Sequence, residues 1–300
     1  MISPEQAIEA IDERFGDHPR HRALHAKGTL CSGTYTATPE AARLTRAAHM
    51  QGEPIRATVR FSNGSGNPNA PDYAPDVRGL AVSFHLADGS RTDISAQTVP
   101  RFPFRDVDAF IEFVRLSRPG AAAALKQLLF VVRHRRVLSS LPANRAALKP
   151  PPSFAARSYY AFHAFKWLNA HGEERYIRYT WRPTVDIPEL GRGEAKARGR
   201  DYLSAELVKR LEAGPIRMDL EVQIAGSGDD VNDPAAAWPQ ERELVVVGTL
   251  EVTAPTEEGD DFVFDPTRLT DGIETSDDPV LAFRRRAYPI SHERRTAGLP

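Results

Sequence analysis

Eight short runs rich in β-branched and aromatic residues, arranged as four and four, limit the fold of this chain more than any other feature. They fall at about 23–36, 55–62, 78–86, 91–98, 159–169, 174–183, 216–225 and 243–253. Alternating or β-branched runs of this length read as strands. Between the fourth and fifth, Val107 to Arg118 and Gly120 to Leu141 change to a 3.6-residue apolar period, which predicts helices, and Tyr202 to Glu212 repeats that period before the seventh run. Pro4 and Pro39 sit where a first-turn proline is tolerated and acidic residues follow, which predicts short helices at 4–14 and 39–50. Two groups of four strands joined by helical excursions suit a closed or nearly closed antiparallel β-barrel with helices packed outside it, an α+β fold. A barrel of that size holds a small cofactor against its wall.

With 41% apolar residues in 300, the chain has material for a sizeable core. Pro150-Pro151-Pro152 is too short to separate domains, so a single domain over 1–300 is expected. A net charge of -1 leaves no global field for nucleic acid or anionic lipid. The start lacks a basic region followed by an apolar run, and no stretch approaches the roughly eighteen apolar residues of a membrane span. A cytoplasmic protein without nucleic-acid or membrane partners is therefore expected. Cys31 is the only cysteine, which excludes an internal disulfide and any multi-cysteine zinc or iron–sulfur site. No glycine fingerprint for a dinucleotide occurs.

Four segments carry candidate chemistry. If the segment around Tyr288 is helical, Arg284 and Tyr288 lie at i and i+4 on one face, and Arg295 returns to it two turns later. A phenol loses its proton only near pH 10, so a tyrosine that binds metal needs a fixed cation beside it. A solvated basic segment that happens to contain a tyrosine fits the same residues. Within Arg22-Ala23-Leu24-His25, strand alternation would turn His25 away from Arg22 and Leu24, as a general acid/base or as an ordinary surface or core histidine. Arg60 and Ser62 share a face under alternation, able to approach one ligand or simply lying at the surface and in a turn. Gln97 ends a strand, and Phe102 and Phe110 follow it, either as the wall of an apolar cavity or as plain core aromatics.

The order of these pieces is similar to that of the haem catalase family. It runs from His-Ala-Lys-Gly (25–28) and Arg-Phe-Ser (60–62) through Asp-Val-Arg-Gly-Leu-Ala-Val-Ser-Phe (76–84) and Phe-Arg-Asp (104–106). It continues with Phe-Lys-Trp-Leu-Asn-Ala-His-Gly-Glu (165–173), Phe-Asp-Pro (264–266) and Asp-Gly-Ile-Glu-Thr-Ser (271–276), and closes on Arg284 to Tyr288 with Pro289, His292 and Arg295. The resemblance spans about Ala23 to Arg295. It implies haem b with Tyr288 as axial ligand, Arg284 keeping the phenolate charged, and Arg22, Arg60 and Arg295 on the propionates. It further implies His25 as distal base, Ser62 as the hydroxyl orienting it, and Phe102 and Phe110 as distal-side aromatics. Gln97 falls where the family has asparagine, one methylene shorter, which bears on efficiency toward hydrogen peroxide.

The chain also resembles the compact, catalase-related branch, without the wrapping segment and C-terminal domain of larger catalases. That implies a more open pocket and a haem peroxidase, which reduces organic hydroperoxides or hydrogen peroxide with an organic electron donor. A dimer is the expected homo-oligomer. A small catalase is the alternative. A fatty-acid hydroperoxide isomerase is a further one, disfavoured by Leu24 where such enzymes carry threonine before the distal histidine. A haem-binding protein without turnover would not need His25.

Overall fold

The computed structural model describes residues 2–117, 123–258 and 261–298, and within them the eight anticipated runs close into one barrel. Its strands are β1 (Gly28–Ala37), β2 (Ile55–Asn63), β3 (Arg78–His85), β4 (Arg91–Gln97), β5 (Tyr159–Leu168), β6 (Glu174–Pro183), β7 (Ile216–Ile224) and β8 (Leu244–Pro255). Each pairs antiparallel with the next within its group of four, β1 pairs with β8, and the seam between β4 and β5 closes through the register pair Gln97 and Tyr160. A short ninth strand, β9 (Ile273–Thr275), which the sequence pattern did not suggest, adds to β5 at Phe165 to Trp167.

Alternation explains the wall. Val59, Phe61, Leu80, Val82 and Phe84 point into the barrel and are fully buried with Tyr35, Trp167 and Trp181. Aromatic side chains of this kind bury about 150–250 Å² each, the largest single contributions to such a core. Residues between them face outward, where helices cover part of the wall. The helices are α1 (Pro4–Phe15), α2 (Pro39–Leu44), α3 (Val107–Leu116), α4 (Ala123–Arg133), α5 (Arg136–Arg145), α6 (Arg192–Ala197), α7 (Tyr202–Ala213) and α8 (Pro279–Ala297).

Three expected boundaries change. The helix at 39–50 stops at Leu44 and resumes as a single 3-10 turn at Ala48–Met50, because buried Thr45 donates its hydroxyl to Gly272 O at 2.8 Å and Arg46 N–H bonds Leu168 O at 2.9 Å. Such bonds compete with the helical ladder. In the expected helix from Gly120 to Leu141, residues 120–122 lie outside the described residues. The remainder divides into α4 and α5 at His134, whose ring folds back on Phe130 with centroids 4.3 Å apart. The first strand begins at Gly28 rather than Ala23, for the reason given next.

Candidate active site

Four strands contribute one row of register partners to the outer wall: Gly28, Ser62, Gly79 and Gln97, with Tyr160 across the seam. Directly paired residues turn their side chains to the same face. Here the neighbouring residues Phe61, Leu80 and Ala96 take the barrel interior, so the row lies outside it.

His25 reaches this row through a turn, which corrects the expected strand placement of residues 23–27. It sits at φ +57°, a left-handed conformation uncommon for a residue with a Cβ. Its N–H donates to Gly64 O at 3.1 Å, and Ala26 N–H to Ser65 O at 3.0 Å. The Arg60 guanidinium donates to the carbonyls of His25 and Ala26 at 2.9 and 3.3 Å, so a buried cation holds the turn from behind. The imidazole Nδ1 lies 3.0 Å from Ser62 Oγ. Both groups crowd Gly79: a Cβ there would lie 2.6 Å from Ser62 Oγ and 2.7 Å from His25 Nδ1. Gly79→Ala is therefore expected to displace the imidazole and to cost about 1–3 kcal/mol of stability, the usual cost of overpacking. Thermal unfolding and turnover of the variant check this, and wild-type values of both would show slack in the slot.

Burial drives the His25 pKa down to about 3, with the charges of Arg60, Arg284 and Arg22 adding to the effect. The ring is neutral at ordinary pH. With the proton on Nδ1 donating to Ser62 Oγ, Nε2 presents a lone pair.

A second centre lies on α8. Asp278 caps that helix, its Oδ1 accepting from the N–H groups of Val280 and Leu281 at 2.8 and 3.2 Å. Its Oδ2 lies 2.6 Å from His163 Nδ1, the His163 Nε2 lies 3.0 Å from an Arg284 nitrogen, and Arg284 donates to the Tyr288 phenol oxygen. The i, i+4 face read from the sequence is thus occupied, and a guanidinium supplies a charge-assisted bond to that oxygen. His163 and Asp278 were not singled out from the sequence. Their one available signal was a histidine inside an aromatic run, and alternation would have set Phe162 and His163 on opposite faces. A register shift between Ala161 and Phe165 breaks that alternation. Phe162 then stacks on Phe102 with centroids 5.0 Å apart, while His163 meets Arg284.

The remaining candidates gather around these centres. Arg22 donates to Phe262 O at 3.0 Å and Arg295 to Asp261 O at 2.9 Å, so two guanidinium groups converge on consecutive carbonyls. Arg295 is buried, and its side chain also contacts His292. Phe102 packs on Phe110 at 5.7 Å. Phe110, Leu24 and Ala287 share an apolar cluster with Phe283 and Ile111, joining α3, α8 and the His25 turn. Gln97 is half-buried and joins through its register with Gly79.

Among the described residues no group of three or more His, Cys, Asp or Glu is arranged to hold a metal ion. The arrangement instead offers one phenol oxygen backed by a guanidinium, which suits a metal that brings its other ligands with it, as porphyrin iron does. Clustered guanidinium forks suit the two carboxylates such a group carries. The residues present fit a haem.

Known proteins resemble this chain along its length. A family model described as Catalase matches residues 5–299. The catalase-related peroxidase of Mycolicibacterium paratuberculosis is 46% identical over 299 residues, covering 98% of this chain and 95% of its own. That of Synechococcus elongatus is 33% identical over 305 residues, covering 99% and 90%. A catalase of Pseudomonas aeruginosa is 28% identical over an alignment of 309 positions that covers 96% of this chain and 60% of the longer relative.

Proposed function

The chain belongs to the catalase family, whose cofactor is haem and whose substrate is a peroxide, and on that premise we propose that it is a haem peroxidase that reduces organic hydroperoxides or hydrogen peroxide with a small organic donor. The observation that carries this reading is the pairing of two centres: a neutral imidazole seated on Ser62, and a phenol oxygen held by the Asp278–His163–Arg284 chain. The Arg284 charge acts on His25, which ties the two electrostatically.

Haem b would be held by Tyr288 at the iron, by Arg22, Arg60 and Arg295 at the propionates, and against the aromatic side chains of Phe102 and Phe110. Bound haem supplies the redox chemistry of O–O cleavage, which no side chain here provides. With haem bound, His25 Nε2 would take the proton from one peroxide oxygen and return it to the other, the leaving one, and Ser62 would keep that nitrogen aimed. A positioned imidazole accelerates such transfers by about 10² to 10⁴. Gln97 supplies an amide donor on the same row. The relatives named as peroxidases are 46% and 33% identical to this chain, against 28% for the catalase of P. aeruginosa, which favours the peroxidase reading over disproportionation. A homodimer is the expected assembly.

The protonation state of His25 gives a pH prediction. The folded value near 3 lies below the ordinary 6.5, so the base is already deprotonated throughout the neutral range. Consumption of peroxide is expected to stay level from about pH 8 down to about pH 4.5, and an acid limb near the ordinary histidine pKa would count against a buried, neutral His25. Stability, by contrast, falls within that range. Between pH 6.5 and about 3 the unfolded chain takes up a proton on this ring that the folded chain refuses, so the His25 contribution is lost as pH falls.

The first test is the visible spectrum of the haem-loaded protein, with oxygen release and dye oxidation followed in the same cuvette. A high-spin ferric spectrum with dye oxidation and little oxygen supports a peroxidase. Vigorous oxygen release would make it a small catalase, and failure to take up added haem would overturn both.

A further inference from the structure

The neutral total charge hides a strong local imbalance. Between Glu112 and Glu173 the sequence has no acidic residue, while Lys126, Arg133, Arg135, Arg145 and Lys149 fall in the α4–α5 excursion and are exposed. The same excursion carries seven of the ten large apolar side chains that are most exposed among the described residues. On α4, Leu125, Leu128 and Leu129 are each 60% exposed and Val132 is 55% exposed. Their spacing of i, i+3, i+4 and i+7 makes a single stripe. On α5, Leu138 and Leu141 are each 49% exposed.

This stripe is not the inner face of α4. That face is made by Phe130, Val131 and Gln127: Phe130 packs on Phe113 and Phe104 at 5.7 and 6.1 Å, and Gln127 donates to Leu116 O at 3.2 Å. α4 is therefore apolar on two opposite sides, and a helix apolar all round is normally covered on both. The basic residues at the margin of the outer stripe decide among coverings. A second copy related by a two-fold axis would set this patch against itself and bring like charges together. An anionic bilayer pairs the leucines with acyl chains and the basic margin with headgroups, the pattern of a helix lying in a membrane interface.

We propose that the outer face of α4 and α5 docks the protein on the surface of anionic lipid membranes, with Leu125, Leu128, Leu129 and Val132 entering the interface and Lys126 and Arg135 contacting headgroups, while Arg133 is paired with Glu112 at 3.6 Å. The inner face of α4 rests on the Phe104–Phe113 aromatic cluster, which continues through Phe102 and Phe110, so docking brings the bilayer to the side of the candidate site. The inference does not depend on the peroxidase reading, because binding is read without turnover.

The test is flotation of the haem-loaded protein with vesicles of phosphatidylglycerol and phosphatidylcholine against vesicles of phosphatidylcholine alone. Binding is expected to be at least about tenfold stronger to the anionic vesicles and to weaken in high salt, since each basic residue near such a surface adds to affinity. Leu128→Glu with Leu129→Glu is expected to abolish flotation while haem content, melting temperature and oxidation of a small dye stay at wild-type values. Lys126→Glu with Arg135→Glu, which leaves the stripe intact, is expected to reduce flotation about tenfold. Absence of flotation with anionic vesicles would overturn the proposal. So would a lipid-free wild-type dimer that the leucine variant converts to monomer, because a second copy would then be the occupant.

Discussion

Tyr288→Phe is expected to leave a folded protein that no longer ligates haem iron through oxygen. The substitution removes one oxygen from a side chain on α8 whose partner, Arg284, is held independently by His163. The helix keeps its Asp278 cap and its buried residues Val280, Leu281 and Phe283, so the loss of melting temperature should be small. The loss of function should be large. Residues that only support a metal ligand cost roughly 10–100-fold when removed, and the ligand itself should cost more than that. The measurement is the ferric spectrum with peroxide-dependent dye oxidation. Retention of the wild-type spectrum and rate would show that another group holds the iron. Removing the tyrosine oxygen also leaves Arg284 without the acceptor it meets here, so some variant molecules should recruit a water or an anion at that point.

His25→Ala should give the opposite pattern: haem retained with its spectrum little changed, and peroxide consumption lower by about 10² to 10⁴. The residue donates no bond that anchors the axial side, and its place above Gly79 leaves room for water once the ring is gone. Ser62→Ala removes only the partner of Nδ1, so its effect should be smaller, nearer the roughly 10-fold end of outer-shell losses. Stopped-flow mixing with hydrogen peroxide and with an alkyl hydroperoxide separates the two variants. If His25→Ala reacted with peroxide as fast as wild type, the imidazole would not be the base, and the strained turn that carries it would need another explanation. The left-handed backbone at His25 costs of order 1–3 kcal/mol and is kept by the Arg60 and Gly64 bonds around it.

The strands and the Arg284–Tyr288 pair were legible because their signals are local. Alternation has a period of two residues and the helical face a spacing of four, so neighbours in sequence suffice to read both. All eight strands appear within a few residues of their expected positions, and the pair sits on one face of α8. His25 was identified as a candidate but not correctly placed, since nothing in its neighbours announces a positive φ. That conformation depends on carbonyls of Gly64 and Ser65 and on Arg60, residues brought in by β2. Averaging charge over the chain likewise concealed a basic, apolar surface, because the compensating acids lie outside α4 and α5.

The sequence by itself determined a barrel of eight antiparallel strands, a helix bearing Arg284 and Tyr288, and a set of arginines and aromatics of the right kinds. Only the tertiary structure decided which distant residues complete the site. His163 and Asp278 meet across 115 positions because a register shift in β5 turns the histidine toward the cap of α8. Gly79 matters because pairing of β2 with β3 sets it against Ser62, leaving an imidazole-sized gap where any side chain would stand. Contacts of that kind depend on strand register and on one irregular turn. Neither is written in the period of any single segment, because each is settled by which strands close the barrel and what space they leave between them.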